Sequence, residues 1–232
     1  MEEEKVKKKK IRTICIDTLT AIQENQYASD KKKPGHDKWF DYGVTIFDFI
    51  TKLQELGFET VLILGPPGTG KSTGMKMLTP GTNIWFNADN KNPTWKGGKL
   101  EYGKKDTPKA PYHVVPKDYN TIINHIKDLK KKGAFEEEKI AFITGHTETF
   151  KEGFESRVRL KTLGNLSNKM QIEGKLEMVL YTKVSKNEST GDTEFSLETQ
   201  NSGTNTARSN EGMLEGIIKN DYQHIVDQIL KY

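Results

Sequence analysis

Residues 65–72 read Gly65-Pro66-Pro67-Gly68-Thr69-Gly70-Lys71-Ser72, with Thr73 next, directly after the apolar run Thr60–Leu64. This is the pattern G-x-x-x-x-G-K-[ST] behind a strand, the context that gives it chemical meaning. The glycines let the backbone curl so that successive N–H groups point into one concavity suited to phosphate oxygens. Lys71 supplies a cation for the outer phosphates, and Ser72 offers a hydroxyl to Mg²⁺. The ligand set this implies is ATP with Mg²⁺. Such a loop needs an acid at the end of a neighbouring strand to hold the metal. Asp17, closing Ile14-Cys15-Ile16-Asp17, is the candidate. A hydrolase also needs a group that orients water and a polar side chain near the terminal phosphate. Two further strand ends offer them: Asn87-Ala88-Asp89 after Ile84-Trp85-Phe86, and Gly145-His146-Thr147-Glu148 after Ile140–Thr144. Asp89 and Glu148 are the candidate bases, and His146 is the candidate contact to the γ-phosphate.

The elements that must hold these residues follow from the apolar pattern. Ile11–Ile16, Thr60–Leu64, Asn83–Asn87, Tyr112–Val115 and Ile140–Thr144 predict buried strands. Gly43–Leu56, a stretch at about 71–78 and Asp118–Lys132 predict helices. Leu176–Val184 and Thr193–Thr199 predict an antiparallel hairpin, and the apolar positions Ile217, Ile218, Tyr222, Ile225, Val226 and Ile229 predict a C-terminal amphipathic helix. Residues 25–38, 88–111 and 145–170 are polar and predict loops. Strands alternating with helices imply an α/β fold with a mostly parallel sheet flanked by helices and an appended hairpin.

At 232 residues the chain is long enough for one domain with a sizeable core. Residues 1–10 form a charged lead-in and 11–232 a single domain. Within it, 11–59 carries the acid strand, 60–138 the phosphate loop, 139–210 the sensor strand, a loop and the hairpin, and 211–232 the last helix. No apolar run approaches the roughly 18 residues of a membrane span, and no secretory leader is apparent. The single cysteine, Cys15, excludes a disulfide framework and fits a reducing compartment. The histidines are scattered without ligand-type spacing. The net charge of +4 is compatible with a polyanionic partner.

Several stretches resemble phage RecA-like nucleotide-binding proteins, related to RecA/RadA recombinases and implicated in single-strand annealing. They are Ile14-Cys15-Ile16-Asp17-Thr18-Leu19-Thr20-Ala21; Pro34-Gly35-His36-Asp37-Lys38-Trp39 with Asp41-Tyr42-Gly43; Phe142-Ile143-Thr144-Gly145-His146; and Leu197-Glu198-Thr199-Gln200. Thr18 stands where AAA+ machines usually carry a second acid, which also favours a RecA-like site. The resemblance implies a RecA-type ATPase core, binding to single-stranded DNA, self-association into an oligomer or filament, and the cytoplasm (a host's, if phage-encoded). It puts Asp89 first as base. It implies two DNA-facing loops, one with Lys31, Lys32, Lys33, Lys38 and Trp39, the other with Lys151, Arg157, Arg159, Lys161 and Lys169. Arg208 or Arg157 would supply a cation to the neighbouring subunit's site.

One feature departs from the family: Asp17 precedes Lys71, whereas RecA-like proteins place the phosphate loop first. Glu-Glu-Glu-Lys occurs at Glu2–Lys5 and again at Glu136–Lys139. Moving Lys5–Glu59 to follow Glu138 would restore the family order, so the chain reads as a rearranged, permuted RecA-like protein. Two other readings stand beside the ATPase: a nucleotide-binding scaffold without turnover, and a P-loop small-molecule kinase. The kinase would need an arginine-rich lid, and the four arginines (Arg12, Arg157, Arg159, Arg208) do not cluster as one.

Overall fold

The apolar runs Ile11–Ile16, Thr60–Leu64 and Ile140–Thr144 become strands buried on both faces. The computed structural model describes residues 10–29, 37–88, 93–96, 99–102, 113–114, 116–162 and 172–232. Its elements are β1 (Ile11–Asp17), α1 (Leu19–Ser29), α2 (Asp37–Glu55), β2 (Phe58–Leu64), α3 (Lys71–Gly74), β3 (Asn83–Asn87), β4 (Pro93–Lys96) and β5 (Lys99–Tyr102). They continue with β6 (His113–Val114), α4 (Tyr119–Lys131), β7 (Phe135–Gly145), β8 (Thr147–Glu152), β9 (Glu155–Leu160), β10 (Met178–Lys186), β11 (Thr193–Glu198), β12 (Ile217–Lys219) and α5 (Tyr222–Ile229). Eight strands form one sheet in the order β12-β11-β10-β2-β7-β1-β3-β6. From β10 to β6 all neighbours are parallel, and β11 and β12 are antiparallel additions.

Alternation along the strands sorts the core into two layers. Ile14, Ile16, Leu62, Leu64, Ala141 and Ile143 face α1, α2 and α4, where Phe49 and Tyr119 meet with ring centroids 4.7 Å apart. Cys15, Val61, Ile63, Ile140 and Phe142 face the opposite side, covered by Met75, Leu78 and α5. Phe142 stacks on Tyr222 of α5 at 4.7 Å. Burying both faces is why these strands read as continuous apolar runs. Among the described residues no helix is long and apolar enough to cross a membrane.

The sheet brings the first two strands of the chain to one neighbour. β1 and β2 flank the same strand, β7, one on each side. The strand spacing puts them roughly 10 Å apart, a small detour for whichever connection joins them. Between Ile11 and Thr13 the partner on β7 jumps from Phe135 to Ile140, so Glu136–Glu138 bulge from the ladder, which Lys139 rejoins opposite Phe58 of β2. The bulge holds the three glutamates of the second Glu-Glu-Glu-Lys, and it lies at the opposite end of the sheet from the glycine-rich loop.

Several local expectations are corrected. Residues within 25–38 are not all loop: α1 runs to Ser29 and α2 begins at Asp37. The stretch 145–170 contains the β8–β9 hairpin, closed by the two-residue turn Gly153-Phe154. The polar composition hid it, because it forms its own two-stranded sheet outside the main one. Within 88–111, β4 and β5 pair. Ile217 and Ile218 belong to an edge strand rather than the last helix, which starts after the N-cap Asp221. The helix foreseen at 71–78 is four residues long and passes into a 3₁₀ turn, Met75–Met77. Gly74 is the reason: a side chain there would collide with Asn220 and Tyr222, and glycine in a helix weakens it.

Cys15 is 1 % exposed in the middle of β1. Burial first, and the neighbouring Asp17 charge second, push its thiol pKa up. A chromogenic aromatic disulfide is therefore expected to react at least ~10³-fold more slowly with native than with denatured protein. Rapid native reaction would mean that β1 is not the buried central strand described.

Candidate functional site

Three parallel strands end at the same level. Leu64 pairs with Gly145 across β2·β7, and Ile16 pairs with Ile143 across β7·β1, so Asp17 stands level with Thr144. Functional side chains in parallel α/β sheets collect at such carboxyl ends. Here the ends present the glycine-rich loop on β2, Gly145-His146 on β7 and Asp17 on β1.

The loop from Gly65 to Gly70 turns with Gly68 and Gly70 at φ 78° and 85°. Gly70 is doubly constrained, since a Cβ would also stand 2.6 Å from the Phe195 ring. Lys71 is 6 % exposed, and its ammonium donates to the carbonyls of Gly65 at 2.8 Å and Pro66 at 2.7 Å. Ser72 donates its hydroxyl to Asp17 Oδ2 at 2.8 Å, although the two lie 55 positions apart in the chain. The other carboxylate oxygen, Oδ1, accepts from the buried Thr144 hydroxyl at 2.7 Å. A 4 % exposed carboxylate thus faces a serine hydroxyl beside a buried lysine.

That donor set fits Mg²⁺. Mg²⁺ is typically held by one or two protein oxygens and completed by substrate phosphates and water, not by an all-protein cage. Among the described residues no group of three or more His, Cys, Asp or Glu is arranged for a metal. Asp17 and Ser72 would hold the ion, and the loop amides with Lys71 would hold the phosphates. Because α3 is only four residues long, the loop amides and Lys71, and not a helix dipole, would have to hold an anion here.

Contacts from the end of the chain brace the loop. Asn220 donates to Gly70 O at 2.6 Å, and the Tyr222 hydroxyl donates to Lys71 O at 2.7 Å. From β10, Thr182 Oγ1 lies 2.6 Å from Thr69 Oγ1 and donates to Leu64 O at 3.2 Å. Sequence reasoning missed Thr144, Thr182, Phe195, Asn220 and Tyr222. No local signal marks them, because each acts through a partner remote in sequence.

The other candidates are placed unevenly. Asp89, Lys31, Lys32, Lys33 and Lys169 lie outside the described residues, as do the side chains of Lys38 and Trp39 on α2. His146 follows β7 directly; its backbone N–H donates to Thr20 Oγ1 at 3.3 Å, and its carbonyl accepts from Lys161 N at 2.7 Å. Glu148 is paired with Arg159 at 2.9 Å, and Arg159 lies over the Phe150 ring at 4.3 Å. Arg157 pairs with the exposed Glu155 at 3.2 Å, while Lys151 and Lys161 are exposed. Arg208 is used within its own chain: its guanidinium donates to the carbonyls of Glu173 and Leu176, fastening the turn at 172–176.

Compared with protein-family models, with curated proteins and with solved structures, the chain matches none.

Proposed function

We propose that the chain is a RecA-like P-loop ATPase that binds ATP with Mg²⁺ and acts on single-stranded DNA, in recombination or annealing of the phage type. The observation that carries this reading is the 2.8 Å contact between Ser72 and Asp17. A loop hydroxyl and a strand-end acid, remote in sequence, meet beside Lys71, which is the pair a magnesium triphosphate requires. Bound there, Mg²⁺ would neutralise charge on the phosphate oxygens. Lys71 and the loop amides grip the triphosphate, Asp89 orients water, and His146 reads the terminal phosphate at the end of the middle strand.

His146 is joined through its carbonyl to Lys161, at the foot of the β8–β9 hairpin. This hairpin is the proposed DNA-facing element. Phe154 at its tip is fully exposed, with Lys151, Arg157 and Arg159 along its strands and Lys161 directly after them. Cations for phosphates and an exposed aromatic for base stacking suit a single strand.

The deciding experiment is ATP hydrolysis with and without single-stranded DNA. DNA is expected to stimulate turnover, and ATP to change DNA affinity. Phe154→Ala should weaken single-strand binding about tenfold, the scale of one lost stacking contact. Equal DNA affinity with and without nucleotide would reject the coupling, and an unaffected Phe154→Ala would reject the hairpin. A second reading, nucleotide binding without turnover, is favoured by the Glu148–Arg159 pair, which occupies one of the two candidate bases. Lys71-dependent binding with no hydrolysis would establish it instead.

A further inference from the structure

We infer that the β10–β11 hairpin is the base-binding wall of the nucleotide site, and that it selects purine over pyrimidine nucleotides by apolar contact without distinguishing adenine from guanine. This rests on the proposed phosphate site and extends it to the other end of the nucleotide. The metal pole, Ser72 with Asp17, lies on the β7–β1 side of the loop strand. Outer phosphates seated there leave the other side of the loop open to the nucleoside, and on that side β10 and β11 adjoin β2.

On that side the hairpin stands above the sheet. Tyr181 pairs with Leu64, the last residue before the loop, so residues 182–186 rise beyond the strand ends by roughly 16 Å. The pairs Thr182↔Leu197, Val184↔Phe195 and Lys186↔Thr193 share one face. At the foot of that face Thr182 touches Thr69 of the loop. One step up, Phe195 packs against Gly70, and its cross-strand partner Val184 is 48 % exposed. The result is an apolar shelf of an aromatic ring and a solvent-facing valine, adjoining the loop on the side away from the metal. An exposed apolar side chain beside a polar ligand site marks a place where a flat ring can cover it. The shelf pair itself carries no hydrogen-bonding side chain, so ring area governs the preference.

The test titrates the full chain with ATP, GTP, CTP, UTP and inorganic tripolyphosphate, each with Mg²⁺. ATP and GTP are expected to bind within about threefold of each other and about fivefold or more above CTP and UTP, in line with stacking differences. One variant separates the shelf from loop bracing: Val184→Asn, at a position 48 % exposed and without contact to the loop's glycines. It is expected to weaken ATP about fivefold and shrink the purine preference, while tripolyphosphate changes less than about twofold. Equal binding of all four nucleotides, a strong preference between ATP and GTP, or equal losses for ATP and tripolyphosphate would each overturn the inference. Tripolyphosphate binding that ignores Lys71→Ala would instead overturn the phosphate-site reading itself, and the shelf with it.

Discussion

Replacing Lys71 with alanine is expected to lower nucleotide affinity by at least about 100-fold and to remove measurable turnover. Its ammonium is buried and rests on the Gly65 and Pro66 carbonyls, at 2.8 and 2.7 Å. Those carbonyls hold the charge in the mouth of the loop, where it has only a short way to reach a phosphate oxygen. Hydrogen bonds to charged groups contribute roughly 1.5–3 kcal/mol each, so two such contacts correspond to about 10² or more in affinity. The truncation also leaves the buried Gly65 carbonyl without this donor. Thermal unfolding must therefore accompany the binding assay, with Lys71→Met as the variant that keeps the side chain's apolar length. If both variants bind and hydrolyse ATP as the parent does, residues 65–72 are a turn and nothing more.

Asp17 has the next largest expected effect, and its two substitutions separate chemistry from structure. Asp17→Asn preserves shape and an oxygen for the Thr144 or Ser72 hydroxyl, but removes the charge. It is expected to abolish the gain in ATP affinity that Mg²⁺ provides and to cut turnover about 100-fold or more, with unfolding little changed. Asp17→Ala leaves the fully buried Thr144 hydroxyl without its acceptor. An orphaned buried hydroxyl costs about 1–3 kcal/mol, which in a domain of this size lowers the melting temperature by about 3–8 °C. Titrating ATP with and without Mg²⁺ beside melting curves gives both readouts. An Asp17→Asn protein whose ATP binding still responds fully to Mg²⁺ would remove Asp17 from the metal site.

Much of this site was legible before any coordinates. The glycine-rich loop announces itself because its chemistry is local: successive backbone groups must curl, and only certain residues allow it. Asp17 was legible as a strand-end acid because a run buried on both faces ends abruptly at a charge. The β8–β9 hairpin carried a readable cue in Glu-Gly-Phe-Glu, a two-residue turn between alternating segments, but its polar strands masked it. Gly74 had the opposite fate. Its helix looked sound from the residues around it, and the need for glycine there comes from Tyr222 and Asn220, which pack against it from the far end of the chain.

By itself, then, the sequence determined the α/β alternation, the central buried strands, the glycine-rich loop behind one of them and the acid that ends another, all properties of residues near one another. Only the tertiary structure decided that β1 and β2 flank β7, which brings Asp17 to Ser72 across 55 positions of chain. It alone decided that Thr144 orients that acid, that Asn220 and Tyr222 brace the loop, and that Arg159 claims Glu148. The physical reason is that strand adjacency and cross-chain hydrogen bonds are set by how the two faces of the sheet are buried. That is a property of the whole packed core, and no window of sequence contains it.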